Sequence, residues 1–346
     1  MTTYWVLYLI PSICLLTPFR GSRQLQGLAW VLIWTGFTLA IGLRHEVGCD
    51  WGIYLDIFNE TMLLPFPGVQ GGMDPGYGVL NWLVTVLDGE IYWVNLFCGG
   101  VFSAGVIIFA RRQPYPWLAI TVLVPYLLIV VAMGYTRQSV ALGLIFWGLT
   151  RLADGRFFSY LLLIAVAGLF HKSALLMLPL GVLASSQHKV AKLFAIVAVG
   201  VLLGVLLLLE YSSVFWNQYV EASLESEGGA IRVWMNVLPT VLMLLYWRRW
   251  RETFHDHQVW FWIGMLALVC VPLVSTASTA VDRIALYFSP IQVAVFSRMP
   301  ALAKSSVTRT VLVLGFLGYY GTVLWVWLNL GIHSKLCWIP YQTPWF

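Results

Sequence analysis

The chain has 346 residues, of which 60% are hydrophobic and 10% charged, with a formal net charge of +5 and a mean hydropathy of +0.81. That composition excludes a soluble globular domain and describes a polytopic integral membrane protein. The positive balance reflects where basic residues lie relative to a bilayer and gives no ground for nucleic acid as a partner.

The first twenty residues lack the basic n-region of a secretory signal, because no Lys or Arg precedes Arg20, and they read as a retained first span. Apolar runs long enough to cross, or to half-cross and break, occur at about 4–19, 25–43, 91–110, 115–133, 137–152, 157–170, 173–185, 191–209, 233–247, 259–274, 284–297 and 309–330. The reading is therefore all-α, with about twelve transmembrane helices, some short or broken. The two runs beside His171 are short for full crossings at about 1.5 Å per residue. They read as half-helices meeting at a break inside the membrane, where irregular backbone is tolerated only if it lines a cavity.

With the N-terminus outside, fourteen of the twenty basic residues fall in the alternate, inner loops: Arg20, Arg23, Arg111, Arg112, Arg151, Arg156, Lys189, Lys192, Arg248, Arg249, Arg251, Arg298, Lys304 and Arg309. That satisfies the positive-inside rule loop after loop. The other six, Arg44, Arg137, Lys172, Arg232, Arg283 and Lys335, fall on the opposite face, as do twelve of the fifteen acids. Residues 1–346 read as one transmembrane domain with structured external segments at 44–90, 210–232 and a tail at 331–346. The first holds turn signals at 65–68 and 70–76, and the second, around Glu221, Glu225 and Glu227, reads as solvated. No internal repeat of the kind many transporters carry is evident.

Charge at the end of a span is costly unless it has a task. Leu43 to Tyr54 places Arg44, His45, Glu46 and Asp50 there, and a helix starting at Asp50 would set Tyr54 one turn on along the same face. A carboxylate and an aromatic hydroxyl so placed suit a sugar. Glu46 and Asp50 also have a spacing for a shared cation, but no third ligand lies near and Gly48 weakens that helix. Arg137 and Gln138 open a span, and Arg283 is followed by Tyr287 one turn later. Arg44, Arg137, Arg232 and Arg283 converging on one cavity would suit a pyrophosphate or another dianion, because guanidinium forks onto two oxygens. Any one of them alone reads equally well as an arginine snorkelling to lipid phosphate, but four together run against the inside bias.

Phe170-His171-Lys172-Ser173 is the second informative stretch. An imidazole there could serve as general base, kept neutral by Lys172, or as a hydrogen-bonded spacer between helices. Asp50 is the competing base. His255-Asp256-His257 imitates a metal triplet on the inner side but reads as a solvated loop. Of the five cysteines, Cys14, Cys98 and Cys270 lie within apolar runs and behave as small hydrophobes. Cys49 and Cys337 share the outer side, where an oxidising compartment would permit a bridge. Trp51, Tyr77, Trp82, Tyr92, Tyr211, Trp216, Tyr219 and Trp234 border that side as an interfacial belt that could also stack on pyranose rings.

On Arg44 with Gly48, Asp50 and Tyr54, on Arg137-Gln138, on Phe170-His171-Lys172-Ser173 with Pro179, and on Arg283 with Tyr287, the chain resembles the EpsG family of bacterial membrane proteins, a branch of the Wzy-type O-antigen and capsular polysaccharide polymerases. The resemblance implies a GT-C-like glycosyltransferase of the inner membrane, facing the periplasm and needing no metal or other cofactor. Its substrates would be undecaprenyl-pyrophosphate-linked glycans, and its partners membrane lipids, a chain-length regulator and a flippase. It implies catalytic roles for His171, Asp50 and Arg137, and substrate contacts from Arg44, Tyr54, Gln138, Lys172, Arg232, Arg283 and Tyr287. The readings set against it are an O-antigen ligase or prenyl-phosphate-sugar glycosyltransferase, a flippase-like transporter and, further behind, a membrane acyltransferase.

Overall fold

A computed structural model describes residues 1–17, 23–63, 74–184, 189–208, 229–275 and 278–345. The turn signals at 65–73 and the acidic stretch at 221–228, with Tyr211, Trp216 and Tyr219, lie outside the described residues. The protein is all-helical: the described residues hold no strand, and an isolated bridge joins His45 to Gln342.

In chain order the helices are α1 (Thr2–Leu16), α2 (Arg23–Gly42), α3 (Trp51–Met62), α4 (Pro75–Val86), α5 (Ile91–Ala110), α6 (Pro116–Leu123), α7 (Thr136–Ala153), α8 (Phe157–Phe170), α9 (Leu180–Leu183), α10 (Lys189–Leu208), α11 (Gly229–Trp234), α12 (Val237–Leu245), α13 (Trp247–Thr253), α14 (His257–Leu273), α15 (Ser278–Ala285), α16 (Pro290–Arg298), α17 (Ser306–Leu330) and α18 (Ile332–Cys337). Three described helices are long and apolar enough to cross a membrane: Gln24–Gly42, Ile91–Ala110 and Ser306–Leu330. The segments Gly229–Leu245 and Trp247–Thr253 form a fourth candidate, bent by 81°. Of the other expected runs, five form apolar helices of 10–17 residues, Thr2–Leu16, Pro116–Ala132, Phe157–Phe170, Lys172–Leu183 and His257–Leu273, so by length and composition the described residues give three clear crossings, or four with the bent pair, of the expected dozen.

α5 lies at the centre, packed between α2 and α7, and α7 packs in turn on α8. A Cβ on Gly105 would come within 1.9 Å of the Gly143 carbonyl oxygen, and one on Gly143 within 2.5 Å of the Phe102 Cα. α5 and α7 therefore touch backbone to backbone, the close approach that small residues permit between membrane helices. α17 is peripheral, with most of its apolar side chains turned away from the rest of the bundle.

The run expected at 115–133 is helical throughout but changes pitch, since α6 passes into a π-helix over Val124–Ala132. Widening of this kind frees carbonyls from their usual partners, and here the Ile129 carbonyl accepts from Trp338 Nε1 at 2.8 Å. Trp338 belongs to the C-terminal tail, which folds back over the end of the bundle formed by the start of α1 and the loop after α2. Tyr4 Oη donates to the Trp338 carbonyl at 2.5 Å, Tyr341 Oη to the Ala40 carbonyl at 2.8 Å, and the Gly48 amide to the Cys337 carbonyl at 2.7 Å. Cys49 and Cys337 are joined by a disulfide, so the bridge that their shared side permitted is present.

Residues 43–50 do not continue a helix. Glu46 and Gly48 have positive φ, 52° and 98°, and a Cβ on Gly48 would sit 2.4 Å from the Met133 carbonyl oxygen. Only glycine fits that turn. Glu46 and Asp50 thus share no helix face, which corrects the spacing argument for a common cation. On the opposite side, Asp256 also departs from expectation. It is 7% exposed and takes two hydrogen bonds from Arg298, at 2.7 and 2.8 Å, so His255-Asp256-His257 is no solvated loop at its centre.

Candidate active site

Asp50 is the residue before α3 and does not cap it with its side chain, while the Tyr54 amide donates to the Asp50 carbonyl at 3.0 Å. The expected one-turn relation holds. Tyr54, however, is buried, and the Arg137 guanidinium lies over its ring, 5.9 Å from the ring centre. The sequence paired Tyr54 with Asp50 around a sugar; the fold uses it to hold an arginine.

Arg137 stands in the first turn of α7, and its Nη1 donates to Asp74 Oδ2 at 3.0 Å. Asp74 is the residue that sequence reasoning missed. It precedes Pro75 at the start of α4 and is only 4% exposed. Its other oxygen accepts the Lys172 backbone amide at 3.3 Å, so one carboxylate fixes both Arg137 and the break after α8. An Asp-Pro pair announces a helix start, but its ionic partner lies 63 positions away in sequence. The same bond ties the break at the end of α8 to the start of α4.

His171 ends α8 with extended backbone, φ −155° and ψ 111°, and its ring meets that of Tyr287 edge-on at 6.3 Å. Tyr287 is 1% exposed and is reached by Ser173 Oγ, 3.4 Å from its hydroxyl, and by Gln138. Gln138 also donates to the Arg283 carbonyl at 3.2 Å, tying α7 to α15. Helical register lapses after Ala285, where the chain tightens into a 3₁₀ turn, so Tyr287 is buried while Arg283 stays exposed.

Charges converge here. Burial first, and then Arg137, Arg283 and Lys172, hold the His171 imidazole well below its usual range, so it is neutral. Burial pushes the Asp50 carboxyl upward, against the pull of Arg283 and Arg137. For Asp74, too, burial outweighs its pairing with Arg137 and raises the carboxyl. Three cations, two acids, a neutral imidazole and a buried tyrosine thus act on one another at one end of the bundle. Among the described residues no three His, Cys, Asp or Glu side chains come together as a metal-ligand set.

Two expected substrate contacts lie elsewhere. Arg44 is 1% exposed and donates to the Ile41 carbonyl, to the Val47 carbonyl at 3.3 Å and to Thr136 Oγ1 at 2.6 Å. Its guanidinium closes the end of α2 and holds the 43–50 loop against the start of α7, which is a structural task. Arg232 forks onto Asp282, with Nε–Oδ1 at 2.7 Å and Nη2–Oδ2 at 2.6 Å. That pair locks α11 to α15 and takes the bidentate face that a phosphate would need.

Comparison with known proteins gives one clear result. The model of the EpsG family matches residues 27–343 of the 346, so the chain belongs to the EpsG family. No curated protein matches it. Membership carries, in general terms, a polysaccharide-polymerase type of function in a membrane-embedded protein.

Proposed function

We propose that this EpsG-family chain is an inner-membrane glycosyltransferase that polymerises undecaprenyl-pyrophosphate-linked oligosaccharide repeats at the periplasmic face, into O-antigen or a capsular or exopolysaccharide. A hydroxyl at the non-reducing end of the incoming unit attacks the anomeric carbon of the growing chain. The glycosidic bond forms, the bond to lipid pyrophosphate breaks, and the hydroxyl proton passes to a base. The observation that carries the reading is that Arg137 and Arg283 act on both His171 and Asp50, with Lys172 beside His171.

A pyrophosphate leaving group gains charge as its bond breaks, and preorganised cations in a water-poor site stabilise that charge most. Arg137 is held for the task by Asp74 and Tyr54 while its side chain stays 30% exposed. A base works best with a pKa near the working pH. Three cations oppose protonation of His171, whereas burial moves Asp50 toward neutrality, so the charges favour Asp50 as base and His171 as a neutral hydrogen-bonding group beside Tyr287. That reverses the order of the two candidates in the sequence. The outward, oxidising orientation is supported by the Cys49–Cys337 disulfide, one residue from Asp50.

The test is incubation of purified protein with lipid-linked repeat units. A ladder of products with released undecaprenyl pyrophosphate is expected. A single transfer would instead mark a ligase or a prenyl-phosphate-sugar transferase, and vectorial movement of intact lipid-linked sugar without bond formation would mark a transporter.

A further inference from the structure

At the opposite end of the molecule, α12 and α13 meet the start of α17 around a cavity of about 380 Å³. Leu242, Met299, Leu302, Leu312 and Phe316 give it an apolar wall. Arg249, Lys304, Ser305 and Thr308 line it as well, and no acid does. The cavity is thus amphipathic.

Its position follows from the 81° bend between Gly229–Leu245 and Trp247–Thr253. A short helix with tryptophans on one face and arginines on the other, turned across the end of an apolar one, has the character of an interfacial segment. α13 is anchored there: Trp250 is fully buried, and the Arg298 guanidinium lies 5.6 Å from its ring centre and 4.8 Å from that of Phe254. Arg298 is itself fixed by Asp256 and by Gln113, to which its Nε donates at 2.8 Å. The backbone carrying Arg249 is therefore held in place, and α17, a spanning candidate, begins at the same level with Lys304 just before it.

We infer that this groove seats one anionic phospholipid of the leaflet on the basic side of the membrane. Its phosphate and headgroup would lie against Arg249 and Lys304, with the two hydroxyls beside them, and the upper part of one acyl chain along Leu242, Leu312 and Phe316. Charge complementarity selects the occupant. Two cations beside an apolar wall, with no carboxylate among the lining, fit an amphiphile whose headgroup carries net negative charge, not a zwitterionic lipid or an acidic peptide lacking a chain. A volume near 380 Å³ is that of a bounded ligand cleft, large enough for the headgroup end of one lipid. This inference does not depend on the proposed reaction.

The experiment titrates phosphatidylglycerol or phosphatidylcholine into the purified full-length protein, reading thermal stability and retained lipid by native mass spectrometry. Phosphatidylglycerol is expected to raise the midpoint saturably with one lipid retained, and phosphatidylcholine to do neither. The double variant Arg249→Ala/Lys304→Ala should bind about thirtyfold more weakly, taking roughly a fivefold step per cation lost near a lipid surface. Leu312→Trp, which fills the acyl part and keeps both charges, should also abolish retention; it serves as the second variant if the first fails to fold. Equal retention of both lipids, undiminished binding in both variants, or preferential retention of polyprenyl phosphate over phosphatidylglycerol would each overturn the assignment.

Discussion

Asp74 ties two parts of the candidate site together, because its two oxygens hold Arg137 and the Lys172 amide. Asp74→Asn keeps the shape but weakens the hold on the arginine. Displacements of that kind cost about 10²-fold in rate, so product formation should fall by that order, with substrate retention changed less. Arg137→Ala should abolish long-chain glycan while the protein remains inserted and abundant; wild-type chain lengths in a stably expressed variant would remove Arg137 from the mechanism. Asp50 gives a test with a sign. Its folded-state pKa is raised by burial, so its protonated form is favoured by folding, and the associated stability is present at low pH and lost as pH rises through that pKa. At neutral pH Asp50→Asn should therefore be at least as heat-stable as the wild type, yet inactive. In the wild type, activity should fall on acidification at a pH above the ordinary carboxylate range, and a limb of that kind that survives in a residually active Asp50→Asn protein would point to another base.

The helix pair α5 and α7 sets where Arg137 and Gln138 emerge, and it does so by backbone contact at Gly105 and Gly143. A methyl group at either position has nowhere to go without parting the helices. Gly143→Ala should cost on the order of 1–3 kcal/mol, the usual penalty for overpacking, seen as a lowered unfolding midpoint in detergent, whereas Gly27→Ala, which meets nothing within 4 Å on α2, should leave the midpoint unchanged. The apolar pattern made α5 and α7 legible as helices, but not as neighbours. Likewise the Phe170 to Ser173 break was legible from its charge, while its attachment to the start of α4 came from a bond to Asp74, which no periodicity encodes.

Across the whole molecule, the C-terminal tail closes on the loop after α2 through the Cys49–Cys337 disulfide, the Gly48 amide and the bridge between His45 and Gln342. Reduction, or Cys49→Ser with Cys337→Ser, should lower stability by on the order of 2–4 kcal/mol. In spheroplasts, a membrane-impermeant maleimide should label these two cysteines only after reduction; labelling without reductant would mean that the bridge does not form in the cell. Composition and hydropathy by themselves determined a helical membrane protein, and short motifs marked His171, Asp50, Arg137 and Arg283, because burial of an ionisable group at a span's end is costly enough to stand out in a sequence. Which arginines face the site and which serve the fold was decided only in three dimensions. Arg44 and Arg232 are chemically identical to Arg137, and what separates them is how much of the guanidinium the fold consumes: Arg44 is 1% exposed and bonded to the Ile41 and Val47 carbonyls and Thr136, and Arg232 turns its bidentate face onto Asp282, whereas Arg137 gives Nη1 to Asp74 and stays 30% exposed.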